Sequence, residues 1–116
     1  MHAKAALIVR QEGELIRRYV HLGTGNYNPT TAHLYTDIGL LTADEDIGAD
    51  VTDLFNFLTG YSAKTDYRKL RVAPINLRSR FEELTRREIA HQRSDGTGHI
   101  IFKMNSLTDP KMIRLL

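Results

Sequence analysis

The sequence of 116 residues contains no cysteine. Disulfide bonds and thiolate-bound metal ions are therefore excluded, and the expected environment is the reducing cytoplasm, with association at a membrane surface left open. No apolar run approaches the ~18 residues of a membrane-spanning helix. No signal peptide opens the chain, so we expect neither a transmembrane segment nor export. No pair among the five histidines has the spacing of metal ligands, and we predict no zinc ion bound by the side chains of this sequence.

The remaining composition is that of an ordinary globular protein, with 41% hydrophobic and 26% charged residues. The charge is distributed unevenly. Residues 1–60 carry four Lys or Arg and eight Asp or Glu, whereas residues 61–116 carry twelve and six, respectively. This change of sign favours two structural units. The basic second half would suit a polyanionic partner, although solvated arginine-rich helix faces are the commoner explanation of such a balance.

Two short stretches are predicted to meet at one end of a β-hairpin. His2 and Lys4 precede an apolar run at 5–9 that predicts a buried strand. Because side chains alternate along a strand, the imidazole and the ammonium lie on the same face. Antiparallel pairing with a second predicted strand at 15–22 would bring the following residues, 23–28, beside this pair.

The segment 23–28 is a candidate phosphate-binding loop. Its glycines let the backbone bend with N–H groups exposed, and its asparagines add amide donors. The candidate phosphate ligands are Gly23, Thr24, Gly25, Asn26 and Asn28. A nucleophile, a cation and an anion-binding loop together suggest phosphoryl or phosphodiester chemistry. Either pattern alone would also be explained by a surface strand or a simple turn.

The same residues resemble the catalytic region of bacterial polyphosphate kinases. The motifs that carry the resemblance are His2-Ala3-Lys4, His21-Leu22-Gly23-Thr24-Gly25-Asn26-Tyr27-Asn28, Leu34-Tyr35-Thr36-Asp37, Val72-Ala73-Pro74 and Lys103-Met104-Asn105-Ser106-Leu107. They occur in order and cover nearly the whole chain.

The resemblance implies reversible transfer of the γ-phosphoryl group of ATP to inorganic polyphosphate. It assigns the phosphohistidine to His2, charge neutralisation to Lys4 and nucleotide contact to Tyr35. The implied partners are ATP, ADP, polyphosphate and further copies of the chain in a homo-oligomer, with no nucleic acid. It also implies Mg²⁺, bound mostly by residues that lie outside this sequence.

The implied fold is α/β (α+β), with helices packed on a mixed β-sheet in two partial phospholipase-D-like domains. Residues 1–68 would be the second half of the first domain, and residues 69–116 the start of the second. Further predicted elements are a strand at 38–42, a helix that begins at the capping-box sequence 42–45 and ends at Gly60, a strand at 69–73, a helix capped by Asn76, a strand centred on 100–102 and a helix that begins at Pro110.

The apolar stripe of the last predicted helix begins at Met112 and stops after one turn. We therefore expect the sequence to be a piece of a longer enzyme, without kinase turnover of its own. Uncovered strand edges and helix faces would make the isolated chain associate with itself.

Two other functions stay open. A phospholipase-D-like phosphodiesterase or nuclease also uses a histidine nucleophile, but such hydrolases usually have an aspartate where this chain has Val9. A polyanion-binding module without catalysis would use the basic second half and the glycine loop, with steep salt dependence. The kinase family usually has an arginine at the position of His33. A histidine there would weaken one phosphate contact. His21 either supports the glycine loop or only packs.

Overall fold

A computed structural model describes residues 2–116. The elements in chain order are β1 (Lys4–Glu12), β2 (Leu15–Gly23), α1 (Pro29–Ala32), β3 (Gly39–Thr42), α2 (Glu45–Leu58), α3 (Leu77–Ser94) and α4 (Pro110–Leu115). The fold is α+β, as predicted. The chain divides into two compact units, one ending at Leu70 and the other spanning Arg71 to Leu116. None of the described helices is both long enough and apolar enough to cross a membrane.

The first unit contains a three-stranded sheet in the order β1-β2-β3. The predicted hairpin is confirmed: it turns at Gly13, whose φ of 62° suits glycine, and its strands pair antiparallel with Lys4 opposite Gly23. β3 returns to the same end, where Gly39 pairs with Gly23, so the second pairing is antiparallel too. The expected mixed sheet is therefore not seen among these strands. A parallel neighbour would need a crossover to the opposite end of the sheet.

Helix α2 packs against β1 and β2, and this contact forms the core of the first unit. Val20 of β2 and Val51 and Leu54 of α2 are almost completely buried. Val51 and Leu54 lie at the centre of the apolar stripe of this helix. Its last members, Phe55 and Leu58, are exposed.

The start of α2 differs from the predicted capping box. Asp44 is the N-cap, and its side chain accepts a hydrogen bond from the backbone N–H of Ile47 at 2.9 Å. The hydroxyl of Thr42 accepts the N–H of Asp44 instead, at 3.0 Å. The carboxylate of Asp44 caps the helix better than the hydroxyl of Thr42, because Asp44 directly precedes the first turn and the free N–H groups of that turn point toward it. The helix ends before Gly60, which has a φ of 77°.

The strand predicted at 69–73 is absent. The backbone N–H groups of Arg68, Lys69 and Leu70 donate to the carboxylate of Asp50 at distances of 2.7–3.0 Å. Asp50 lies on α2 and is fully buried. Because these donors are already bonded to a side chain, they form no ladder with a neighbouring strand.

In the second unit, α3 packs against α4, with Thr85 and Met112 buried. Asn76 stands at the predicted N-cap of α3, but its side chain accepts the N–H of Val72 at 2.7 Å rather than capping the helix. Asp109 caps α4. The strand predicted at 100–102 is absent, because no strand lies among the described residues of this unit to pair with it.

Candidate active site

The structure brings His2 and Lys4 together at the start of β1. Nζ of Lys4 lies 3.3 Å from Nδ1 of His2 and 3.5 Å from its Nε2. β1 begins at Lys4 and His2 lies two residues before it, so the imidazole adjoins the ammonium just outside the strand. The imidazole is exposed, so a ring nitrogen is accessible to a substrate with a cation directly beside it.

The glycine loop begins directly opposite this pair, because Lys4 and Gly23 are paired residues of the hairpin. Thr24 fastens the loop to the start of β3. Its N–H donates to the carbonyl of Ile38 at 3.0 Å, and its hydroxyl oxygen accepts the N–H of the same residue at 3.0 Å. The hydroxyl also lies 3.1 Å from Oδ1 of Asp37, to which it donates. The Thr24 side chain therefore has a structural role that the sequence did not predict.

Gly25 packs closely against the side chain of Asp37. A Cβ built at this position would collide with the carboxylate of Asp37 and would lie 2.6 Å from its Cγ. No side chain larger than hydrogen fits there without displacing Asp37. The side of the loop that faces this carboxylate is unsuitable for an anion, so a phosphate group would approach from the other side.

The two asparagines of the loop have different environments. Oδ1 of Asn28 accepts the N–H groups of Thr30 at 2.9 Å and Thr31 at 3.3 Å, and so caps α1. Only its amide N–H₂ group remains as a donor toward a ligand. Asn26 is exposed in the preceding turn. Both side chains can thus donate hydrogen bonds.

His21 supports the glycine loop, which decides between the two roles left open by the sequence. Its Nδ1 shares a hydrogen bond of 2.6 Å with the hydroxyl of Tyr27, and the two rings are 5.5 Å apart between centroids. Its ring also covers two glycines, since a Cβ on Gly39 would lie 2.8 Å from Nε2 and one on Gly23 3.1 Å from Cε1. By strand parity His21 lies on the same face as Lys4, and this was the signal available from the sequence.

Tyr35 lies on the connection between α1 and β3 and is 56% exposed. Within residues 2–116, no hydrogen bond or ring contact joins it to His2, Lys4 or the glycine loop. The side chain is therefore available to an external partner rather than packed in a core. His33 is the C-cap residue of α1 and is also exposed.

The described residues do not fit a protein-bound Mg²⁺. No group of three or more His, Cys, Asp or Glu side chains converges within residues 2–116. The neighbouring carboxylates of Asp44 and Asp46 are both bound by Nζ of Lys69, at 2.7 Å and 3.3 Å. The hydrogen bond from Lys69 holds the pKa of the Asp44 carboxyl below its ordinary value.

Two protein-family models together match almost the whole chain. Residues 1–64 match the family model described as polyphosphate kinase C-terminal domain 1, and residues 70–116 match polyphosphate kinase C-terminal domain 2. The first of these matches alone covers more than half of the sequence.

Individual relatives agree with the family match. The chain is 59% identical over 115 residues to a polyphosphate kinase of Synechocystis sp. and 58% identical over 115 residues to one of Mycolicibacterium paratuberculosis. Each alignment covers 99% of this chain and 16% of the relative. The crystal structure of polyphosphate kinase from Porphyromonas gingivalis superposes with a TM-score of 0.86 at 38% identity, over 98% of this chain and 18% of that one. The chain therefore spans about one sixth of the length of the relatives it matches.

Proposed function

The chain belongs to the polyphosphate kinase family, and we propose that it supplies the phosphohistidine segment of such an enzyme. The observation that carries this proposal is the distance of 3.3 Å between Nζ of Lys4 and Nδ1 of His2, opposite a glycine loop. An exposed imidazole is a competent nucleophile, and an adjacent ammonium stabilises the charge that develops on a phosphoryl group.

The reaction proceeds in two displacements. A ring nitrogen of His2 forms a bond to the γ-phosphorus of ATP, the bond to the β,γ-bridging oxygen breaks, and ADP leaves. The other ring nitrogen loses its proton to solvent. A terminal oxygen of polyphosphate then attacks the same phosphorus, the N–P bond breaks, and the ring regains a proton. Lys4 neutralises phosphate charge in both steps, in keeping with the electrostatic character of phosphoryl transfer.

The glycine loop binds the phosphate groups in this proposal, and Tyr35 binds the nucleotide. The amide groups of Asn26 and Asn28 and the backbone N–H groups that follow Thr24 donate to phosphate oxygens. Tyr35 is exposed and offers an aromatic face with a polar tip to adenine. His21 acts indirectly, because its hydrogen bond to Tyr27 keeps the loop in place.

We further propose the wider setting of the segment. Residues 1–68 and 69–116 belong to two successive phospholipase-D-like domains of a homo-oligomeric, cytoplasmic enzyme. Mg²⁺ enters this proposal only with ATP, because the described residues offer no set of ligands for it and no step depends on one.

The test is a graft of this chain into the polyphosphate kinase of Synechocystis sp., in place of the 115 residues that align with it. With γ-labelled ATP and magnesium, the graft should acquire a label that is stable in alkali and lost in mild acid, as a phosphoramidate is. His2→Ala should abolish the label. His91→Ala, which changes an exposed histidine on α3, should retain it.

Labelling that survives acid, or that persists in His2→Ala, would contradict the assignment. Hydrolysis of a phosphodiester by the graft without any requirement for ATP would instead favour the phosphodiesterase alternative. The isolated chain, tested in parallel for conversion of ATP to polymer, should show no turnover, because positioning several charges around the phosphates requires more than one histidine, one lysine and a loop.

A further inference from the structure

The second unit contains a basic groove between α3 and α4 that the proposed chemistry does not use. The groove consists of two adjoining hollows of about 650 Å³ and 390 Å³. Both are lined by Arg86, Arg114 and Leu115. Arg93 and Ser94 line one end, and Lys111 and Glu82 line the other. The groove is therefore elongated, and it is defined here by the four cations Arg86, Arg93, Lys111 and Arg114.

The charges of the groove are not neutralised by any carboxylate in the described part of the chain. Elsewhere on these helices, arginines pair with carboxylates: Arg80 with Glu83, Arg87 with Glu88, and Arg78 with both Glu82 and Asp109. No carboxylate among residues 2–116 lies within ion-pair distance of the charged nitrogens of the four groove cations. Glu82, the one acidic side chain at the rim, is bound to Arg78.

The sequence spacing explains how four unpaired cations come together. Arg86 and Arg93 are seven residues apart, two turns along the same face of α3. Lys111 and Arg114 are three residues apart on one face of α4. Packing of the two helices makes these faces adjacent. Like charges held close together repel one another, and a bound polyanion would relieve that repulsion.

The floor of the groove indicates which polyanion fits. Ile89, Ala90 and Leu115 are the apolar residues that line it, and no aromatic side chain lines either hollow within the described part of the chain. Sites for single-stranded nucleic acid usually combine a basic groove with aromatic side chains that stack on the bases. A groove with cations but no stacking surface suits a chain of phosphates without bases.

We propose that the α3/α4 groove is an additional binding site for inorganic polyphosphate, built from residues other than those around His2. The choice of polymer rests on the proposed function, whereas the binding of a linear polyanion rests on the groove alone. The site holds the polymer chain by charge-assisted hydrogen bonds from its guanidinium groups. It takes no part in bond making or breaking.

The experiment is a titration of the full 116-residue chain with end-labelled linear polyphosphate, followed by fluorescence anisotropy at several salt concentrations. The groove variant is Arg86→Gln/Arg93→Gln/Arg114→Gln, in which glutamine preserves helix propensity. The charge-matched control is Arg10→Gln/Arg17→Gln/Arg87→Gln, whose arginines already pair with carboxylates. Melting curves from circular dichroism establish that each variant folds. If the triple groove variant unfolds, Arg93→Gln and Arg114→Gln are compared singly with Arg87→Gln.

The groove variant should bind polyphosphate more weakly by about three- to tenfold for each guanidinium removed. The slope of log affinity against log salt should fall by about 2, because roughly 0.7 is expected for each lost phosphate contact on a single strand. The control triple should change affinity by less than about threefold. Equal loss in both triples would overturn the proposal, since it would show binding by net charge alone.

Two further arms separate the inference from the proposed function. Labelling of His2 is measured in the graft and polyphosphate binding in the 116-residue chain, so that either proposal can fail without the other. If Lys4→Gln abolishes polyphosphate binding and the groove variant leaves it unchanged, the polymer does not bind in the groove and the proposal is wrong. A single-stranded oligoribonucleotide of equal charge should bind at least about tenfold more weakly. Equal affinities for the oligoribonucleotide and for polyphosphate would show that the groove does not select polyphosphate.

Discussion

The backbone N–H of Lys69 donates to the buried carboxylate of Asp50 across 2.7 Å. The same carboxylate accepts the N–H groups of Arg68 and Leu70, and its Oδ1 lies 3.1 Å from the Arg68 guanidinium. One side chain on α2 therefore determines the path of the chain where the first unit ends. A carboxylate without solvent contact is stable only because all of these donors reach it.

Asp50→Asn should lower the free energy of unfolding by about 3 kcal/mol, because it leaves buried donors without a charged acceptor. The matched control is Asp53→Asn on the same helix. Asp53 is 25% exposed and pairs with Lys64, so its loss should remove at most about 1 kcal/mol. Urea denaturation of both variants measures the difference. Equal destabilisation would show that Asp50 has no special role.

The contribution of Asp50 should also depend on pH. Burial alone would raise the pKa of this carboxyl, but the hydrogen bonds from Leu70, Arg68 and Lys69 outweigh it and hold the pKa below its ordinary value. A depressed pKa in the folded state contributes stability above the unfolded value of ~3.9, and that stability is lost as the pH falls through the folded value. The stability difference between the unchanged chain and Asp50→Asn should therefore be largest near neutral pH and shrink in acid. A difference that grows on acidification would contradict this account.

Gly25→Ala should disrupt the glycine loop, because its methyl group would occupy the space of the Asp37 carboxylate. We expect the grafted enzyme to lose most of its histidine labelling with this substitution. The control is Gly13→Ala in the hairpin turn, where a Cβ meets no atom within 4 Å and the φ of 62° is the source of strain. It should reduce stability by about 1 kcal/mol and leave labelling intact. Partial recovery in Gly25→Ala/Asp37→Ala would establish that the cause is steric.

Tyr35→Ala should raise, several-fold, the ATP concentration at which labelling of the grafted enzyme is half-maximal. This matches the ~1 kcal/mol that a stacked aromatic pair contributes. Because the side chain is 56% exposed, the melting temperature should hardly change. Tyr61→Ala, at a position 87% exposed outside the candidate site, serves as the control. An unchanged response to ATP with a large fall in melting temperature would mean that Tyr35 is structural.

The isolated chain should associate with itself. Apolar side chains on the outer face of the sheet are exposed, with Ile8 at 61% and Leu41 at 81%. The outer edge of β3 has no neighbouring strand among the described residues. Light scattering should report a species larger than 13.2 kDa. Leu41→Lys on the edge strand should reduce the mass of that species. A monodisperse monomer at all concentrations would contradict the expectation.

Much of the first unit could be predicted from the sequence because its structure follows from local chemistry. The apolar run at 5–9 and a glycine turn indicate the hairpin, and the pairing of its strands places Lys4 opposite Gly23. The run is not a buried strand as predicted, because Ile8 and Val9 are exposed. The apolar stripe indicates α2, although its N-cap is Asp44 and not Thr42 of the predicted capping box. The family resemblance rests on motifs of a few consecutive residues, so the order of the amino acids is sufficient to reveal it.

The tertiary structure decided what depends on residues far apart in the chain. The segment 69–73 has the alternation of a strand, yet its first N–H groups bind Asp50, about twenty residues earlier, and a hydrogen-bonded carboxylate replaced the expected ladder. The sequence likewise contained the basic residues of α3 and α4, but only the packing of the two helices made them one groove. Folding in three dimensions decides which acceptor a backbone N–H group reaches and which cations lie close together. Periodicity along the chain carries no information about these distant neighbours.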